Sequence, residues 1–174
     1  MSQIVVITAV GRDRPGIIAA LTGGIYALGG NLDDASMTRL HGAFAAMLSA
    51  RLPEGQTPSD VREALAPVAE QLELAVTVQA VADPPPPEAA PDHMLAVYGA
   101  DRPGIVHQVT SRLAAGGVNV TDMDTRLAGT SDAPLYVMLL EVEAAGADLP
   151  AEVATLKREM GVEITLQTLS SETL

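Results

Sequence analysis

Gly11-Arg12-Asp13-Arg14-Pro15-Gly16-Ile17 and Gly99-Ala100-Asp101-Arg102-Pro103-Gly104-Ile105 are two versions of one segment, 88 positions apart. The register holds beyond them. Gly29 matches Gly117, Asn31 matches Asn119 and Asp34 matches Asp122, and 11 of the positions from 11 to 34 are identical to their counterparts. A fixed offset kept over that length marks an internal duplication, in which each copy is one supersecondary unit. The second copy carries about four extra residues around Gly129-Thr130-Ser131-Asp132, and Thr77 with Thr165 and Gln79 with Gln167 restore the offset. Such an insertion is expected in an exposed turn. Between the copies, Ala82 to Asp92 holds five of the chain's 12 prolines. Polyproline II, at about 3.1 Å per residue, is the expected conformation of such a spacer. The expected division is a first domain at 1–82, a proline-rich linker at 83–91 and a second domain at 92–174.

Periodicity then gives the order of elements. Ile4 to Val10 is an apolar run of strand length, and Ile17, Leu21, Ile25 and Leu28 recur at helical spacing before Gly29-Gly30. Asn31 to Arg39 and Ala43 to Leu52 flank His41-Gly42 as a hairpin. Thr57-Pro58-Ser59-Asp60 opens a second helix with a threonine cap, a proline at the first position and an acid at the third. Pro67 is expected to bend or split that helix. Leu74 to Val81 closes the unit as a strand. The second copy repeats this with Met94 to Tyr98, Gly104 to Ala115, Val118 to Leu127, Leu135 to Glu143, Ala151 to Met160 and Val162 to Leu169. Each copy is βαββαβ, so the fold class is α+β: two tandem ferredoxin-like domains, each an antiparallel sheet with both helices on one face. A unit of this size buries only about 60–65% of its unfolded surface, which favours packing on a further unit or a second chain, so a homo-oligomer is expected.

Composition narrows the function. The 174 residues carry 22 acidic and 10 basic side chains, a formal net charge of -12. Such a surface repels phosphate backbones, because nucleic-acid affinity comes largely from Lys and Arg displacing counterions. No direct nucleic-acid contact is expected. The chain has no cysteine, which removes disulfides, thiolate metal sites and cysteine nucleophiles. No apolar stretch approaches the roughly 18 residues of a membrane span. Met1-Ser2-Gln3-Ile4 runs into a strand without a basic segment, so no secretory signal is expected and a cytoplasmic location is.

A βαββαβ unit with Asp-Arg-Pro-Gly-Ile between its first strand and helix, followed by Gly30-Asn31-Leu32-Asp33-Asp34-Ala35-Ser36-Met37-Thr38-Arg39 into the second strand, is similar to an ACT domain. The tandem arrangement resembles the glycine cleavage system transcriptional repressor family. The resemblance implies a regulator without a DNA-binding element of its own. It would respond to a small amino acid, glycine or serine first, and act through a partner regulatory protein.

The chemistry of the loop can be read without that resemblance. Pro15 and Pro103 suit the first helical position, where a missing amide hydrogen costs nothing. Gly16 and Gly104 keep the helix start free of bulk. The exposed amides at a positive helix end suit a ligand carboxylate. Asn31 and Asp34, with Asn119 and Asp122, open the neighbouring strand and could take an ammonium. With Asp13, Arg14, Asp101 and Arg102, these residues form the candidate ligand site. A purely structural role stands beside it: Asp13 and Asp101 as helix caps, Asn31 and Asn119 bonded to local backbone, and the two arginines solvated or facing a partner.

No catalytic residue, metal ligand or cofactor is expected. His41, His93 and His107 are scattered, and His107 aligns with Ala19. Neither a Ser-His-Asp set nor a nucleophile elbow appears, and the repeats with their linker account for the length. Met37, Met47, Met138 and Met160 are expected to fill cores. RNA-recognition modules share the βαββαβ order and stack bases on strand aromatics. Phe44, Tyr98 and Tyr136 fall on strands here, but the accompanying basic residues are missing. The remaining alternatives are a ligand-free interaction module of the same fold and a regulatory subunit of an amino-acid metabolic enzyme.

Overall fold

The computed structural model describes residues 3–82, 90–130 and 133–169. The chain divides into two compact units, residues 1–86 and 87–174. Most of the proline-rich segment, residues 83–89, lies outside the described residues. The first unit contains β1 (Gln3–Arg12), α1 (Ile17–Ala27), β2 (Asn31–Leu40), β3 (Ala43–Leu52), α2 (Pro58–Leu72) and β4 (Ala75–Val81). The second contains β5 (His93–Ala100), α3 (Ile105–Ala115), β6 (Asn119–Thr130), β7 (Ala133–Glu143), α4 (Leu149–Met160) and β8 (Glu163–Thr168). Both are βαββαβ, with antiparallel sheets ordered β2-β3-β1-β4 and β6-β7-β5-β8. The tandem ferredoxin-like α+β architecture is therefore present in full.

One sheet face carries each core. Along β3, Phe44, Ala46, Leu48, Ala50 and Leu52 are buried and alternate with more exposed residues, as a half-buried strand requires. They meet Ile17, Leu21 and Ile25 of α1 and Val61 and Leu65 of α2. In the second unit Leu95, Val97, Met138 and Leu140 meet Ile105, Val109 and Leu113 of α3 and Val153 and Leu156 of α4. Phe44 is buried and Tyr136 packs against its core on the helix side, so neither offers a base-stacking platform on the open face.

Several local expectations need correction. The helix α2 is not split at Pro67. Pro67 and Glu63, whose carbonyl loses its amide donor, both lie on the exposed side, where water replaces the bond. Met138 and Met160 are core residues, but Met37 and Met47 are 52% and 56% exposed. Met47 sits on the sheet face away from the helices, and Met37 lies on the edge strand β2. Gly129 and Thr130 extend β6, pairing with Pro134 and Ala133, so the insertion lengthens a hairpin ladder. Ser131 and Asp132 lie outside the described residues. Finally, α4 starts at Leu149, because Asp148 caps it by accepting a hydrogen bond from the Ala151 amide at 3.1 Å.

The first glycine of the repeated segment has a packing reason. A Cβ on Gly11 would lie 2.7 Å from Leu74 Cδ2 and 2.9 Å from the Glu73 carbonyl oxygen, and one on Gly99 would lie 2.9 Å from Val162 Cγ1. The chain entering the last strand passes too close for any side chain. Gly11→Ala is expected to destabilise the protein by about 1–3 kcal/mol, since backbone must shift to admit the methyl. Gly23→Ala, in the same unit and open to solvent within α1, is expected to raise stability by about 0.5–1 kcal/mol. Urea unfolding midpoints read both; an unmoved midpoint for Gly11→Ala would refute the close-approach argument.

Candidate functional site

The strand-to-helix turns after β1 and β5 are built alike. Gly16 is the N-cap of α1 at φ 92° and Gly104 that of α3 at φ 86°, and neither helix has a side-chain cap. This corrects two expectations. Pro15 and Pro103 precede the cap and do not occupy the first helical position, and Asp13 and Asp101 cap no amide. The first i→i-4 bonds run from Ala20 to the Gly16 carbonyl and from Gln108 to the Gly104 carbonyl, each 2.9 Å. The amides of Ile18 and Ala19, and of Val106 and His107, precede those bonds and point out of the helix start.

Side chains around the first turn are tied to the rest of their unit. The Asp13 amide donates to the Gly42 carbonyl at 2.9 Å, and its carboxylate pairs with Arg39 at 3.2 Å. Arg14 pairs with Glu73 at 2.7 Å, which fastens the turn to the end of α2. An open cleft of about 530 Å³ beside the turn is lined by Asp13, Met37, Thr38, Arg39, His41 and Gly42. In the second unit Arg102 donates a hydrogen bond to the Met160 carbonyl at the end of α4. Asp101 is exposed, with no side-chain partner among the described residues.

Asn31, Asp34, Asn119 and Asp122 lie elsewhere. Asn31 opposes Arg51, which opposes Ile4 near the start of β1, whereas Arg12 at its end opposes Ala43 beside the hairpin turn. The strand start and the Asp-Arg-Pro-Gly turn are therefore at opposite ends of the sheet, roughly 30 Å apart along the ten residues of β2. Within one unit they cannot surround one ligand. Asn31 Nδ2 donates locally, to the Leu32 carbonyl at 3.3 Å and to Asp33 Oδ1 at 3.5 Å, and Asp34 Oδ1 accepts from the Ala35 amide at 2.7 Å. Both units have a register shift here, between Leu32 and Asp34 and between Val120 and Asp122. The repeated Asn and Asp thus bracket a duplicated irregularity in an edge strand.

Arg39, Gly42 and Glu73 were not among the residues expected at the turn. Contact across the hairpin and from the α2 terminus brings them there. The repeats did carry a signal, since Leu127 and Gly161 occupy the positions of Arg39 and Glu73 at the offset of 88.

The ACT-domain sequence profile matches residues 3–79. A UPF0237 protein of Streptococcus pneumoniae serotype 4 is 34% identical over 77 residues, covering 44% of this chain and 88% of its own length. The chain belongs to the ACT-domain family. Over its whole length, it resembles a protein of unknown function from Galdieria sulphuraria, at a TM-score of 0.83 and 23% identity over 98% of this chain and 100% of that one. It also resembles a protein provisionally named a glycine cleavage system transcriptional repressor, at a TM-score of 0.71 and 21% identity over 98% and 99% of the two chains. At these identities the two structures share the tandem ACT fold with it.

Charge pairing at the first ACT turn has a consequence for pH. The hydrogen bond from Arg14, then its charge, holds the Glu73 carboxyl below the ordinary glutamate range. Because the folded value lies below the unfolded one, the pair's stabilisation is complete above the unfolded glutamate range. It fades as the pH falls through the folded value. Glu73→Gln is expected to flatten this part of the acid limb of stability against pH, with only a small loss at neutral pH because the pair is exposed. Thermal melts from pH 7 down to pH 3 check this; an unaltered acid limb would show that the pair contributes nothing.

Proposed function

We propose that this chain is an amino-acid-responsive regulatory protein of the glycine cleavage system repressor kind, cytoplasmic, acting through a protein partner and not by contacting DNA. The observation that carries the reading is the duplicated turn. Each copy presents a side-chain-free helix start with outward amides beside one acidic and one basic residue, which is complementary to the carboxylate and ammonium of an amino acid. Glycine or serine is the preferred ligand, because the turns offer charges and no deep apolar pocket for a large side chain. The fold likeness to a protein provisionally named a glycine cleavage repressor suggests the pathway. A formal charge of -12 speaks against unassisted DNA binding and for a protein intermediary.

The separation of the turn from the strand start also bears on assembly. β2 and β6 are edge strands, with one row of main-chain groups unpaired in the sheet. A second copy pairing antiparallel along such an edge would place its Asn31 or Asn119 at the turn end of the first, because antiparallel pairing exchanges the two ends. The homo-oligomer would then complete each site with Asn and Asp from the partner.

Glycine or serine is expected to raise the melting temperature. Ligand at 100 times its dissociation constant adds about 2.7 kcal/mol, which moves the transition of a protein this size by several degrees. A thermal screen of the proteinogenic amino acids at millimolar concentration is the test. If none moves the transition, the sensor reading falls and an interaction module without a ligand remains.

A further inference from the structure

The open sheet faces of the two units differ in charge. Residues directly opposite one another on antiparallel strands share a face, so in the first unit Val10, Ala45 and Thr38 make one row across the side away from the helices, and Thr8, Met47 and Ser36 make the next. β4 adds Ala75 and Thr77 to these rows. Neither row contains a charged residue. Charge returns only at the ends, with Arg12 beyond the first row and Asp34 beyond the second. In the second unit the same two rows contain Arg126, Glu163 and Asp124, and the row after them contains Glu141 and Asp122. The uncharged patch also has relief. Met47 protrudes, 56% exposed, beside an open hollow of about 280 Å³ lined in part by Ala45, Thr8, Val10, Ser36 and Thr38. The Thr8 and Thr77 hydroxyls bond each other at 2.5 Å, so part of their hydrogen bonding survives when water is excluded.

We infer that this face docks a second copy of the chain, the two first units stacking sheet on sheet about a two-fold axis with their strands antiparallel. Charge selects both the occupant and the orientation. Copies that each carry a formal charge of -12 repel one another, and a patch free of acids is where they can meet with least repulsion. The second unit's open face would instead set its acids against those of its own copy. Reversing one sheet over the other brings the Arg12 end of each copy over the Asp34 end of the other, whereas the parallel arrangement would stack like ends. The same reversal exchanges the two central rows, so each Met47 lies over the hollow at the other copy's Ala45. A knob and its hole on one face make a self-complementary, isologous contact. Four strands about 4.8 Å apart and four rows about 6.8 Å apart cover roughly 500 Å². That is at the small end of specific interfaces, so the dimer is expected to form in the micromolar range. Pairing along the edge of β2 is a different contact, since it uses main-chain groups and leaves this face open.

Sedimentation equilibrium of the full chain, alone and as mixtures of variants, tests this. The unaltered chain is expected to show a monomer–dimer equilibrium at micromolar concentration. Met47→Asp would bury a charge in the contact and Ala45→Lys would fill the hollow, and both positions lie outside the core on the open face. Each change is expected to weaken self-association about tenfold or more. Mixed in equal amounts, the two variants are expected to associate again, because the new carboxylate then faces the new ammonium while the remaining Met47 faces the remaining Ala45. Leu139→Asp, at the matching place in the second unit, is expected to leave self-association unchanged. A chain that stays monomeric at hundreds of micromolar, a Met47→Asp dimer as strong as the unaltered one, an equal loss in Leu139→Asp, or two variants that stay apart when mixed would overturn the inference.

Discussion

At Gly16 and Gly104 the backbone takes φ of 92° and 86°, a region that side-chain-bearing residues enter only at a cost. Each of these residues follows a proline, whose ring fixes the preceding dihedral, and together they turn the chain from the first strand of a unit into its first helix. The direction of that helix decides which sheet face is covered and where the second strand begins. Because a glycine caps the helix, no side chain satisfies its first amides, so the constraint that sets the fold also leaves polar groups open at its surface. Structure and candidate chemistry share one residue here.

From that turn the remaining architecture follows by packing. Helices on one face bury the alternate residues of the central strands, and Gly11 and Gly99 let the entry to the last strand pass against the first. The outermost strand has a neighbour on one side only. That leaves β2 exposed at all ten positions, with a row of main-chain donors and acceptors that its own sheet does not use. The ends of this strand separate the two groups of polar residues that the repeats hold in common. A site using both groups therefore cannot lie within one unit.

The sequence was informative wherever a rule is local. Element order, the capping box at Thr57 and Asp60 and the hairpin at His41-Gly42 all rest on residues within a few positions of each other, and all are present. Proline was misread where the surroundings decide: Pro67 stays inside a helix because its side of α2 faces water, and Pro15 and Pro103 precede a cap because the glycine after them takes the left-handed conformation. Asp148-Leu149-Pro150 was a legible helix start, overlooked in favour of Ala151. The site was less legible. Arg39 and Glu73 reach the first turn across the hairpin and from the end of α2, and nothing near Asp13 in the sequence announces them. The loss of both in the second copy, at Leu127 and Gly161, was open to inspection, but it acquires meaning only when the strand register shows the positions to be equivalent.

Hydrogen exchange measured with and without millimolar glycine or serine tests most directly whether an amino acid seats on the uncapped helix start. Ligand seated on the outward amides of α1 or α3 slows exchange at residues 18–19 or 106–107. An edge-paired second copy extends the protection to the start of β6 near residues 119–122. Protection confined to other parts of the chain, or exchange at these residues that ligand leaves unchanged, would contradict the placement of the ligand at the turns.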